Sequence, residues 1–208
     1  MLDKSGKKSE KRKLILDAAF ELILEKGYSN TKIIDIANGA GIGKGTLYEY
    51  FESKEALVLE LVNSRVRHDF AKICEAMEKA STGKQKLTEY FRLEIETTAK
   101  YKSNLNDFRN EFMNSSAEIS KEVLNAVHSI AILQFESIYR VIKEGVEVGE
   151  FKNVDPYTAS ACFMGSVSFY MSLLHHGMPF HVADEFRAAP ANGNEDSFLD
   201  CIFNGLLA

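Results

Sequence analysis

The sequence predicts an all-α protein in two parts, an N-terminal three-helix module with a helix-turn-helix and a larger C-terminal helical domain. Three observations carry this. Apolar residues recur at helical intervals along most of the chain, strand signals are nearly absent, and a glycine corner near residue 40 joins two short helical runs. With 208 residues and 45% apolar content, there is enough chain to bury a core and to hold a module over residues 10–70 plus a domain over 71–208.

The first element, KRKLILDAAFELILEKGY, is an amphipathic helix. Next, Ile33, Ile36, Ala37 and Ala40 give a short helix one apolar face, while Lys32 and Asp35 point elsewhere. Gly39 and Gly41 stop it. Glycine can take the left-handed conformation that a sharp corner needs, and Ala37 and Ala40 are small enough for two helices to cross closely. A second helix runs from about Gly43 to Tyr50 with Leu47 inward, helped by Phe51. Lys44, Thr46, Tyr48 and Tyr50 are then free to face outward, where they can reach phosphates or base edges. Gly43 and Gly45 lack side chains and let the backbone approach DNA. Ser53 is a good N-cap for the next helix, and Lys54 places a cation beside its first amides. The layout is that of a DNA-reading helix-turn-helix. A helical core with a glycine corner also fits the pattern, with Tyr48 and Tyr50 as half-buried packing residues.

The same stretch resembles the N-terminal domain of TetR/AcrR-type transcriptional regulators over roughly residues 10–70. The resemblance rests on Ala18-Ala19, Gly27-Tyr28, Asp35-Ile36-Ala37, Ala40-Gly41-Ile42, Gly45-Thr46-Leu47-Tyr48, Tyr50-Phe51, Ser53-Lys54-Glu55 and Leu57. It implies that Thr31, Lys32, Gly43, Lys44, Gly45, Thr46, Tyr48, Tyr50 and Lys54 contact a double-stranded DNA operator. This chain departs from the family in carrying Lys32 and Gly43 where Ser or Thr is usual, and Ile23 where Phe is usual. Lys32 substitutes a charged phosphate contact for a hydroxyl. Gly43 removes a side-chain cap, so the activity carries over better than the operator sequence.

Charge is uneven. The whole chain is acidic, with 25 Lys and Arg against 30 Asp and Glu, which excludes a generally basic nucleic-acid coat. Residues 1–54 hold ten basic against eight acidic residues, and residues 55–208 hold fifteen against twenty-two. Lys4, Lys7, Lys8, Lys11, Arg12 and Lys13 form a basic start, read either as a mobile arm or helix end resting on phosphate or as a solvated tail. The first residues carry no signal-peptide pattern and no run is apolar enough to span a bilayer, so a cytoplasmic protein with no membrane partner is expected. Cys74, Cys162 and Cys201 are widely spaced with no CxxC pair, which indicates neither a disulfide framework nor a zinc site.

Beyond the module the helical period continues. Lys54 to Ala80 predicts one long helix, Lys84 to about Tyr101 another, and Asn106 to Met113 a short element. Ser115-Ser116 precedes the longest helix, about Ala117 to Gly145. Asp155-Pro156 starts the next, with Asp as N-cap and Pro in the first turn, and it runs to about Gly177. Met178 to Gly193 reads as a loop and Glu195 to Leu207 as a last helix.

Two tasks remain for this larger domain. Two half-sites roughly 34–36 Å apart require a homodimer. In the resembled family the last two helices pair with their twins, which implicates Ala159, Phe163, Ser166, Val167, Tyr170 and Leu174, with Phe198, Ile202 and Leu206. An intramolecular core is the other reading of these residues. Fourteen Phe and eight Tyr exceed what the module needs and point to a small-molecule effector, apolar or amphipathic. The candidate lining is Phe91, Ile95, Phe108, Phe112, Phe135, Tyr139, Met164, Ser168 and Met171, with His128 and Gln134 as polar anchors. Core packing is the competing role for each. The resemblance implies that a filled cavity moves the DNA heads off the operator spacing.

No phosphate-cradling glycine loop, HExxH or nucleophile elbow is present, so neither an enzyme nor a cofactor is expected. His175, His176 and His181 lack carboxylate or Cys partners at ligand spacing, and no metal is expected. Glu94 and Glu96 do not share a helix face. A dimeric, ligand-released repressor is thus the leading reading, and a helical small-molecule-binding or sequestering protein without operator binding is the alternative.

Overall fold

A computed structural model describes residues 4–101, 119–176 and 195–206, and among them every regular element is a helix. In chain order these are α1 (Lys4–Lys26), α2 (Ile33–Gly39), α3 (Lys44–Tyr48), α4 (Lys54–Leu61), a π-helical turn (Val62–Val66), α5 (Arg67–Lys79), α6 (Gly83–Tyr101), α7 (Lys121–Glu147), α8 (Pro156–His176) and α9 (Glu195–Leu206). None of the described helices is long and apolar enough to cross a membrane. The chain divides into two compact units, with boundaries inside α5 at Asp69/Phe70 and inside α7 at Ile130/Ala131. The predicted short element at 106–113 and the predicted loop at 178–193 lie outside the described residues.

In the first unit α1 packs on α2 and α4, and α2 packs on α3. The buried stripe of α1 is Ile15, Ala19 and Ile23, met by Ile36 and Ala37 of α2, Leu47 of α3 and Leu57, Val58 and Leu61 of α4. Basic residues from Lys4 onward are helical, so the basic start is the first turns of α1 rather than an arm. The long helix expected over 54–80 is broken by the π turn. Ser64 Oγ donates to the Glu60 carbonyl at 2.7 Å, and the Arg67 N–H reaches back five residues to Val62. A hydroxyl bonded back to the preceding turn loosens the regular ladder, and the extra residue keeps Val62 and Val66 buried.

The second unit is built on Phe70, Ile73 and Met77 of α5, Leu87 and Phe91 of α6, Ile138 and Ile142 of α7, Phe163 and Met171 of α8 and Phe203 of α9. The loop between α7 and α8 organises it. Phe151 lies so close to Gly145 that a Cβ there would meet its ring at 2.2 Å, which explains glycine inside α7. Glu150 then accepts from the Gly83 and Lys84 amides, both at 2.8 Å, capping α6 from a distance. Lys152 donates its amide to the Leu206 carbonyl at 2.8 Å and its ammonium to the Asn204 carbonyl at 3.0 Å, closing the end of α9. Asp155 caps α8 through the Thr158 amide at 2.7 Å with Pro156 next, as expected. For α7 the cap is Ser120, accepting from the Val123 amide at 3.3 Å, which sets the start at Lys121 rather than 117.

Candidate nucleic-acid interface

The corner between α2 and α3 follows from a few local bonds. Gly41 takes φ +67, and the Ile42 amide reaches the Ala37 carbonyl at 2.9 Å, so the chain turns within three residues. Asp35 fixes the start of α2. Its carboxylate accepts from the Lys32 amide at 3.2 Å and pairs with Lys26 of α1 at 2.7 Å, and these contacts hold its pKa below the ordinary aspartate value. Ser53 accepts from the Ala56 amide at 3.0 Å and starts α4, as expected.

On this frame α3 is shorter than predicted, five residues with Leu47 fully buried and Phe51 beneath. Lys32, Gly43, Lys44 and Gly45 are exposed together with Tyr48 (46% exposed), and Thr46 and Tyr50 are half-buried. Lys44 Nζ stands 5.9 Å from the Tyr48 ring. Gly43 leaves α3 without a side-chain cap.

Two predicted contact residues are placed differently. Thr31 is buried at 1% exposure, its hydroxyl donating to the carbonyls of Gly27 at 2.7 Å and Leu22 at 3.1 Å, so it ties the end of α1. Lys54 turns inward, its ammonium donating to the Tyr28 carbonyl and lying 3.8 Å from the centre of the Tyr28 ring, with burial holding its pKa below the ordinary lysine value. Tyr28 in turn donates to Glu55 at 3.2 Å, and burial together with that carboxylate pushes its hydroxyl to about 12. Arg12 is a further correction. It does not lie on a basic arm, but grips the Glu60 carboxylate, donates to the Tyr50 carbonyl at 3.0 Å and covers the Phe51 ring at 4.5 Å. The spacing Arg12, Ile15, Ala19 and Ile23 puts it on the buried stripe of α1, a signal the sequence does contain.

The candidate effector residues do not form one wall. Phe91 stacks on Phe198 at 4.7 Å and meets Tyr170 at 5.7 Å; Met171 is buried beside them in the same core, and Ile95 and Met164 pack against it. Ser168 is half-buried on α8. Phe135 and Tyr139 stack at 6.4 Å, and Phe135 also meets exposed Tyr157, on a row of α7 separate from buried Gln134 and Ile138. His128 belongs to the first unit, and Phe108 and Phe112 lie outside the described residues. Gln134 is engaged within its own unit, donating to Glu94 at 3.0 Å and to the Tyr90 hydroxyl at 3.3 Å. Burial raises the Glu94 carboxyl to about 7, against these bonds. The importance of Glu94 was missed, although its spacing from Leu87, Tyr90 and Phe91 places it on the apolar face of α6. Phe163, Val167 and Leu206, expected between subunits, are buried in their own core.

Against known proteins, residues 15–61 match the bacterial regulatory proteins of the tetR family. The uncharacterized HTH-type transcriptional regulator YuxN of Bacillus subtilis is 29% identical over 159 residues, 74% of this chain and 51% of that protein. The matched stretch therefore spans about half the length of that relative. Among solved structures, the ketosteroid transcriptional regulator KstR2 of Mycobacterium tuberculosis superposes with a TM-score of 0.71 at 21% identity over 95% of both chains. FadR from Bacillus subtilis in complex with stearoyl-CoA superposes with 0.69 at 21% identity, over 93% of this chain and 98% of that one. Residues 15–61 thus match the tetR-family helix-turn-helix model, and the fold resembles those of KstR2 and FadR over nearly the whole length.

Proposed function

We propose that the protein is a ligand-responsive transcriptional repressor that binds a palindromic duplex-DNA operator as a homodimer and is released by a small-molecule effector. The observation that carries this is the outer surface of the corner. Lys32, Lys44 and Tyr48 stand exposed around the bare backbone of Gly43 and Gly45, while every large apolar side chain of α3 other than Tyr48 is buried. Cations and hydroxyls beside accessible backbone suit phosphate and base-edge contact. Thr46 and Tyr50 complete that surface, and Thr31 and Lys54 hold the frame from inside.

Pairing of two copies is supported by α8. It has no Lys, Arg, Asp or Glu in its 21 residues, yet Tyr157, Ala161, Cys162, Gly165 and Phe169 are exposed on it. A helix apolar on all sides belongs under cover, and a hollow of about 480 Å³ between α8 and α9 offers an uneven surface for a twin to fill. For the effector, the aromatic core around Phe91, Ile95, Met164 and Met171 supplies an apolar setting with Gln134 and Ser168 as polar groups. The stearoyl-CoA held by FadR supports an amphipathic molecule of this kind.

Selection from random duplex DNA tests the reading. One preferred inverted repeat is expected, with Lys44→Ala weakening it about tenfold and lowering the salt slope by about one. Absence of any sequence preference, including in DNA upstream of its own gene, would sink it.

A further inference from the structure

A hollow of about 180 Å³ opens in the second unit between α5, α6 and α7. Its inner surface carries Met77, Val141 and Ser137, all buried, and the half-buried thiol of Cys74. Four charges line it, two of each sign. Lys86 and Glu144 close on one another at 3.5 Å. Glu78 and Arg140 behave differently. Both act on Cys74, whose thiol is pushed up first by burial and then by Glu78, while Arg140 pulls it down. Among the described residues, however, neither Glu78 nor Arg140 closes an ion pair. An anion and a cation thus flank the same thiol in one hollow, and neither is engaged in an ion pair.

That arrangement selects by charge. A simple anion entering towards Arg140 would meet Glu78 and Glu144, and a simple cation entering towards Glu78 would meet Arg140 and Lys86. Only a molecule with both charges satisfies both, and a guanidinium is the side chain best shaped to grip a carboxylate. The volume equals about six waters, which admits a compact molecule of about six to nine non-hydrogen atoms. We propose that this hollow binds a small zwitterion of amino-acid size, its carboxylate on Arg140, its ammonium on Glu78 and its short apolar body over Met77 and Val141. The site is independent of the effector reading, since it needs neither the Phe91 core nor DNA.

The test is calorimetric titration of the full chain with glycine, β-alanine, γ-aminobutyrate and 5-aminovalerate, alongside butyrate and n-butylamine. One amino acid is expected to bind at least about tenfold tighter than either singly charged probe. Glu78→Gln and Arg140→Gln should each weaken it by a similar factor, and the exchanged pair Glu78→Arg with Arg140→Glu should recover it. Both positions are exposed, and unchanged urea-unfolding midpoints of the unliganded variants confirm their folding. In the parent chain, the bound amino acid should also slow alkylation of Cys74, followed on its own peptide by mass spectrometry. Singly charged probes binding equally well, variants without effect, or unslowed Cys74 alkylation would each overturn the proposal, and none of these outcomes touches the operator reading.

Discussion

The corner and the second unit handle polar side chains in opposite ways. Around the corner, charged groups sit at the border of the core and brace the frame from its flank: Arg12 on Glu60 and Phe51, Lys26 on Asp35, Lys54 on Tyr28. In the second unit a carboxyl group lies inside, with Glu94 only 5% exposed and bonded by Gln134. Bracing leaves the face of α3 free of structural duty, whereas burial makes the second unit sensitive to protonation. A reader of DNA needs a fixed surface. A unit that responds to a molecule gains from holding a group whose charge state its surroundings can alter.

The comparison can be broken first at its apolar foundation. Leu47→Ala removes the single fully buried side chain of α3 and should cost about 2–5 kcal/mol of stability by urea unfolding, together with operator binding. A loss near zero would mean that α3 is held by its polar neighbours instead.

Glu94→Gln sharpens the other side. Its folded pKa of about 7 lies above the unfolded value of 4.5, so between these values the folded chain holds the proton that the unfolded chain has released. Stability should therefore fall as pH rises from 4.5 to 7 and level off above. The variant should be more stable than the parent at pH 8, by up to about 3 kcal/mol, with no such gain at pH 4. Parallel pH profiles for the two proteins would contradict the burial argument.

Arg12→Ala comes next. It uncovers Phe51 and leaves Glu60 without its guanidinium, for an expected loss of about 1–2 kcal/mol in thermal or urea melts. Lys11→Ala, one residue away and exposed, should leave the melt unchanged and alter only the salt dependence of operator binding. Equal effects of the two would return Arg12 to the role of a phosphate-facing cation.

Legibility followed the same divide. The all-α class, the glycine at +67 and the caps at Ser53 and Asp155 were readable because each is a local rule in which the residue type does the structural work. The π turn was not, since Leu57 to Met77 keep a helical rhythm whether or not one residue is added. The start of α7 was missed for a related reason: Ser115-Ser116 suggests a start near 117 by residue type, whereas it is Ser120 that accepts from the Val123 amide. The faces of α8 were unreadable because a helix that is apolar all round offers no contrast between inside and outside, so partner and own core both stood open for Phe163 and Val167, which their own core holds. Around the corner, Lys54 and Thr31 look like surface residues by type. Their inward turn depends on Tyr28 and on the Leu22 and Gly27 carbonyls, which sequence spacing does not place.

The loop of Glu150 and Lys152 bonds the beginning of α6 and the end of α9 through side chains and backbone of residues only two apart. Lifting it would strip both helix ends of partners in one event. The amides of Gly83 and Lys84 and that of Lys152 should therefore exchange with solvent deuterium at one common opening rate, making two distant chain segments a single cooperative unit.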